Sequence, residues 1–233
     1  MRFNIHKIEK TTSTNDDVKA AAEKGEAEGL VVWALTQTAG RGRQGRAWQS
    51  PKGNLYFSFL WRPPIPIRAW GNYSFVVALA IHEIVQEFLP KAKVELKWPN
   101  DVLVEGKKIS GILLETGKDW LVVGVGVNVE HVPETPLYPT TSLAAEKAKL
   151  LPLDEILNKI LKALGVWYER MNAEGFAPVR DAWFECARKG EMRVRLPAGG
   201  EMLGEFVDLD AEGNLILRLK DGTTRKISAG DVL

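Results

Sequence analysis

Four short apolar segments follow one another at 94–97, 101–104, 108–115 and 120–129, with Glu105-Gly106 and Gly117-Lys-Asp119 as turns. Parallel strands need a long crossover between them, so strands this close pair antiparallel. Just before them, Val77, Ala80, Ile81, Ile84 and Phe88 fall at helical spacing within 73–88, and Pro90 ends the run. Segments 3–8, 30–35 and 55–61 read as further strands. The polar run 11–17 supplies N-cap candidates in Ser13, Thr14 and Asn15 for a helix reaching about Lys24 and stopping at Gly25. The expected class is α+β, a mixed or antiparallel sheet backed by helices. Leu153, Ile156, Leu157, Ile160, Leu161, Leu164 and Tyr168 mark a later amphipathic helix, 176–187 another, and 133–141 a loop rich in Pro and Thr. Beyond Gly190 the segments shorten to 191–196, 202–209, 215–219 and 224–228, separated by glycine turns. The expected organisation is a main domain over 1–188 and a small all-β barrel over 189–233. So short a barrel holds little core of its own and should lean on the main domain.

Between these elements lies Gly40-Arg-Gly-Arg-Gln-Gly-Arg-Ala-Trp48, with three glycines and three arginines in nine residues. Glycine disfavours both helix and strand, and it lets backbone approach a ligand closely. Arginine adds planar, permanent cations that match phosphate and carboxylate. No acidic residue occurs between Glu28 and Glu83, although Arg41, Arg43, Arg46, Lys52, Arg62 and Arg68 do. In a chain of net charge +1, this concentrates unbalanced positive charge in one stretch. A merely solvated basic patch would not require Gly40, Gly42 and Gly45, so the stretch reads as an anion-binding loop. Those glycines spell a dinucleotide fingerprint, but turn and strand follow where that motif demands a helix, and its acidic residue is missing. No P-loop motif occurs.

The 45% hydrophobic and 26% charged content is that of an ordinary globular chain. A single cysteine, Cys186, forbids an internal disulfide and fits a reducing compartment. His6, His82 and His131 lack metal-ligand spacing, and no run resembles a leader or a membrane span, so a cytoplasmic protein is expected.

Six motifs occur in order: Ser13-Thr-Asn15, Gln37, the glycine–arginine loop, Lys97-Trp-Pro-Asn-Asp101, Lys107-Lys-Ile-Ser-Gly111 and Gly124-Val-Gly-Val-Asn128. Together they resemble the biotin protein ligases, over essentially the whole chain. The resemblance implies a catalytic fold akin to class II aminoacyl-tRNA synthetases with an SH3-like C-terminal domain. It also implies ATP-dependent activation of biotin, with Mg2+, to biotinyl-5′-AMP. Biotin then passes to a lysine of a biotin carboxyl carrier protein.

By that similarity Ser13, Thr14, Asn15 and Gln37 hold biotin's ureido group. Gly40, Arg41, Gly42, Arg43, Lys108, Gly111 and Gly126 complete the biotin site. Arg43, Arg46, Trp48, Asn100, Asp101, Lys108 and Asn128 contact the nucleotide, with Asp101 at the magnesium. Lys108, Arg43 and Asp101 carry the catalysis. No helix-turn-helix precedes the motifs, so no nucleic-acid partner is expected, and no apolar run of spanning length points to a membrane. The chain stops at Gly230-Asp-Val-Leu233 without the basic extension of some relatives, which leaves the barrel's share in nucleotide binding open. A homodimer is a family-level expectation. Two rival readings are a lipoate ligase-like acyl-adenylate enzyme, which gives no reason for the arginine loop, and a nonenzymatic biotin or nucleotide sensor, which gives none for Asp101 and Lys108.

Lys107 and Lys108 are adjacent on a strand and face opposite ways. A two-residue turn at Glu105-Gly106 sets Leu103 opposite Lys108 and Asp101 opposite Ser110. Asp101 and Lys108 then share a face as diagonal neighbours roughly 7–8 Å apart, leaving room for a phosphate and its magnesium. The loop at 40–45, dense in glycine, is expected to be mobile without ligand and ordered with it.

Overall fold

A computed structural model describes residues 1–134 and 138–233. The main sheet comprises β1 (Asn4–Thr11), β2 (Leu30–Gln37), β3 (Leu55–Trp61), β4 (Val94–Lys97), β5 (Asp101–Val104), β6 (Lys107–Thr116) and β7 (Leu121–Val127). Their spatial order is β1-β2-β3-β7-β6-β5-β4. Every neighbouring pair is antiparallel except β1 with β2. That pair is parallel because helix α1 (Thr14–Glu23) forms the crossover between them. The sheet is therefore mixed, one of the two arrangements expected.

Both faces are buried. Val31, Trp33, Phe57, Phe59, Trp61, Val123 and Val125 point into the large core beneath α2 (Tyr73–Phe88) and α3 (Leu153–Glu174). Their alternating partners Leu30, Val32, Leu60 and Val122 meet Val18 and Ala22 of α1 on the other face. Burial on two sides explains why β2 and β3 read as continuous apolar runs. α1 covers only part of its face. Farther along β6 and β7 the outward positions become Gly111, Gly124 and Gly126, which line a pocket.

Helix α4 (Phe176–Glu185) leads into a second sheet of β8 (Gly190–Arg195), β9 (Glu201–Leu209), β10 (Leu215–Arg218), β11 (Thr224–Ile227) and β12 (Asp231–Val232). It is antiparallel, in the order β11-β10-β9-β8-β12. The two-residue β12 was not foreseen, being too short to carry a period. The sheet does lean on the rest of the chain: Phe206 packs on Trp183 and Phe184, at centroid distances of 6.4 and 5.3 Å. Trp98 also donates its indole N–H to Gly213 O at 3.1 Å. Of the loop expected at 133–141, residues 135–137 lie outside the described residues; Thr140 bridges to Lys108. Among the described residues, no helix is long and apolar enough to cross a membrane.

The segment after β7 is pinned by one side chain. Asn54 is fully buried, and its Oδ1 accepts the N–H groups of Val129, Glu130 and His131 at 2.9–3.0 Å while its Nδ2 donates to His131 O. Orphaned buried amides cost about 1–3 kcal/mol each. Asn54→Ala should therefore lower unfolding free energy by about 2–4 kcal/mol, read as a lower urea midpoint at unchanged slope.

Candidate active site

This glycine-lined stretch of sheet forms the floor of a pocket that collects most of the residues singled out in the sequence. Ser13, Thr14, Asn15, Gln37, Arg41, Gly42, Arg43, Arg46 and Trp48 line it from one side. Asn100, Asp101, Lys108, Gly111 and Gly126 line it from the other. Each floor glycine has its own reason. A Cβ on Gly124 would run into Asn15 Oδ1, one on Gly126 into the Trp48 indole, and one on Gly111 into Trp48 and Lys108. Gly40 and Asn128 do not line the cavity. Gly40 lets Trp48 O, Ser50 and Gln37 close in behind the loop, and Asn128 is buried, donating to Thr141 O at 2.9 Å.

One end of the pocket is lined by the neutral polar side chains of Ser13, Thr14, Asn15 and Gln37. Ser13 sits at the N-cap position of α1 but makes no side-chain cap, contrary to the capping expected there. The amide of Thr14 donates to Gln37 Oε1 of β2, at 2.9 Å. Thr14 Oγ1 lies 2.7 Å from Ser58 Oγ, Ser58 donates to Asn15 Oδ1 at 2.6 Å, and Gln37 donates to Ser50 at 2.9 Å. Ser58 and Ser50 carry no motif and were missed. For Ser58 the available signal was a lone serine amid the apolar positions of β3.

The glycine–arginine loop closes on itself: Trp48 N–H donates to Gly40 O and Gly42 N–H to Arg46 O, at 2.8 and 2.7 Å, around a short 3-10 turn at Arg43–Gly45. Its charge, unbalanced along the sequence, is balanced in space. Arg41 pairs with Asp16 (2.6 Å) and Glu115 (2.9 Å), Arg43 with Asp231 (3.6 Å), and Arg46 also with Asp231. The Asp16 hydrogen bond raises the pKa of Arg41 and lowers that of Asp16 in return. Burial pulls Arg43 down from its ordinary value, against Asp231 and Asp101. Arg43 also donates to Asn100 Oδ1 and Gly230 O, both at 3.3 Å. β12 is thus part of the site.

At the cationic end, Lys108 and Asp101 do share a face and Lys107 does turn away, to Glu146. The register differs from expectation. A bulge between Val102 and Leu103 pairs Asp101 with Gly111 and Val102 with Ser110, while Leu103 keeps Lys108. The extra β6 residue is absorbed beside the turn, so no two-residue hairpin count carries beyond it. The expected gap is also absent: Lys108 Nζ touches Asp101 Oδ1 at 2.6 Å, since opposite charges this buried pair with each other. Lys108 Nζ also stands 5.4 Å from the Trp48 ring and 4.8 Å from that of Tyr138. Lys97 lines the same end, and burial lowers its pKa.

Residues 7–130 match the model of the Biotin/lipoate A/B protein ligase family, and residues 191–233 that of the Biotin protein ligase C terminal domain. A Biotin--[acetyl-CoA-carboxylase] ligase of Paracoccus denitrificans is 36% identical over 91% of this chain and 92% of its own. The chain belongs to the biotin/lipoate A/B protein ligase family. The Mycobacterium tuberculosis ligase of the same description is 35% identical over 97% of this chain and 87% of its own. The structure of the biotin protein ligase from Aquifex aeolicus in complex with biotin and ATP covers 99% of this chain and 97% of its own, with a TM-score of 0.85 at 29% identity.

Lys97 holds its charge against burial, which costs stability. With a folded pKa below the unfolded 10.5, its charge disfavours the fold at neutral pH, and the penalty fades as pH climbs from the folded pKa towards 10.5. Lys97→Met should raise the thermal midpoint at pH 7 by about 2–4 °C. That gain, followed by differential scanning fluorimetry, should shrink as pH rises towards 10.5.

Proposed function

We propose that this chain is a biotin protein ligase that works from the single pocket described above. It activates biotin with ATP and transfers it to a lysine of a biotin carboxyl carrier protein. The observation that carries this reading is the pocket's polarity along the sheet floor. An uncharged hydrogen-bonding end at Thr14, Asn15 and Gln37 lies across the glycine floor from a cationic end at Arg43, Lys97 and Lys108. Biotin has the matching polarity, a neutral ureido ring at one end and a carboxylate at the other.

In the first step a carboxylate oxygen of biotin attacks the α-phosphorus of ATP. The bond to the bridging oxygen breaks, and pyrophosphate leaves with its electrons. In the second step the carrier lysine's uncharged amine attacks the carbonyl carbon of biotinyl-5′-AMP. AMP departs with the anhydride oxygen, and the amine's surplus proton is released. Two anions meet in the first step, so preorganised cations aimed at the developing charge lower its barrier. Lys108 stands where it bridges biotin carboxylate and α-phosphate once the nucleotide draws it from Asp101. Arg43 and Lys97 face the phosphates, and Arg46 supports them. The loop carrying Arg43 covers the product, which keeps water from the anhydride.

Magnesium binds through one or two carboxylates together with substrate phosphates, and Asp101 fits that donor set. When bound, the ion supplies neutralisation of phosphate charge. Residues 1–188 hold this chemistry, and the C-terminal sheet contributes Asp231 to the loop's anchorage.

Biotin-dependent ATP–pyrophosphate exchange is the direct test, and exchange with lipoate in place of biotin would reassign the substrate. Lys108→Ala should lose exchange by about 100-fold or more, the scale of removing one transition-state charge contact. Lys107→Ala should stay near the parent. Equal losses in two folded variants would refute the assigned lysine.

A further inference from the structure

The ureido end of the pocket and the arginine loop share one carboxylate that belongs to none of the sequence motifs. Glu115, on the pocket side of β6 opposite Val122, accepts a hydrogen bond from Asn15 Nδ2 at 2.7 Å. The same carboxylate accepts Arg41 Nη2 at 3.1 Å on Oε1 and 2.9 Å on Oε2. Asn15 is 4% exposed and lies pressed against Gly124, so its amide has nowhere else to turn.

A carboxylate can only accept, so Glu115 decides which end of the Asn15 amide faces it. Asn15 Oδ1 is thereby turned to the hydroxyl of Ser58, 2.6 Å away. Ser58, having given its proton to Asn15, presents lone pairs to Thr14 Oγ1 at 2.7 Å. The single Thr14 proton therefore goes to Ser58, at 2.7 Å, rather than to Gln37 Oε1 at 3.2 Å. Donors then run in one direction, Thr14 to Ser58 to Asn15 to Glu115. This leaves the Thr14 oxygen as an acceptor for an N–H of the ligand.

Arg41 is gripped from two sides. Asp16, the residue after Asn15, takes its Nη1 and Nη2 at 2.8 and 2.6 Å, and Glu115 takes the second side of Nη2. Both carboxylates are rooted at the start of α1, one through the chain and the other through Asn15. We infer that Glu115 is a positioning residue that couples occupancy of the ureido site to closure of the arginine loop. A ligand that fixes Thr14 and Asn15 fixes Glu115, and Glu115 then holds Arg41 with the loop down.

This inference rests on the pocket being a biotin site, and its test separates the two. Biotin affinity is measured by calorimetry on the full chain, together with hydrogen exchange of residues 40–48 with and without biotin. The parent should bind biotin and gain protection in the loop. Glu115→Gln keeps a carbonyl acceptor for Asn15 but drops the charge on Arg41. It should lose at least about fivefold of the biotin-induced protection, the lower end of ordinary site-to-site coupling, with a matching loss of affinity. Arg41→Gln breaks the same link from the solvent side. The double variant should be no worse than the more damaged single variant, because residues acting through one link are not additive.

A Glu115→Gln protein with the parental gain in loop protection overturns the coupling. So do additive losses in the double variant, or a uniform loss of protection along β6 and β7 that leaves the biotin-dependent part intact. A parent that does not bind biotin overturns the pocket assignment itself, and the coupling with it.

Discussion

Three positions without side chains, Gly111, Gly124 and Gly126, are the constraint on which the rest of the site depends. The main sheet is covered on both faces, and a covered sheet with full side chains has no room for a ligand. Removing the side chains at one end of two central strands opens a floor without breaking the ladder between Gly111 and Gly126. The space is then divided among Asn15, Trp48 and Lys108, each seated where a Cβ would otherwise stand. These three come from a helix start, a loop and a strand, so the floor also sets the distances between the polar and cationic ends.

The second determinant is charge balance at long range. A loop bearing Arg41, Arg43 and Arg46 would repel itself if its counter-charges were as distant in space as in sequence. Instead Asp16 and Glu115 neutralise Arg41 from the polar end, and Asp231 neutralises Arg43 and Arg46 from the second sheet. The partners are partly exposed, so these pairs position the loop more than they stabilise the chain. At the cationic end Asp101 likewise neutralises Lys108.

Much of this was legible in the residues themselves. The helix at 73–88, the four strands of 94–129 and the small β unit after Gly190 follow from period and turn chemistry, which act over a few residues. The glycine–arginine loop stood out through composition, whereas Lys97 to Asp101 and the lysine pair stood out only through the family resemblance. The parallel pairing of β1 with β2 was open, since a crossover through α1 leaves no mark on either strand. The bulge at Val102 and Leu103 was invisible because a turn of two residues permits the straight register equally well. Ser13, one of the three candidates, holds the N-cap position of α1, but it makes no side-chain cap bond.

By itself the sequence determined that the consecutive strands of 94–129 pair antiparallel, that residues 40–48 are neither helix nor strand but a loop dense in glycine and arginine, and that Lys108 rather than Lys107 shares a face with Asp101. Those are local properties: alternation along a strand, turn residues, and glycine and arginine packed into nine positions. The tertiary structure alone decided the partners. Ser58, Glu115 and Asp231 belong to the site without belonging to any motif, and Asp231 meets Arg46 across 185 residues of chain. Burial and charge neutralisation act between whatever surfaces the fold brings together, and no local pattern encodes which acid will stand beside which arginine.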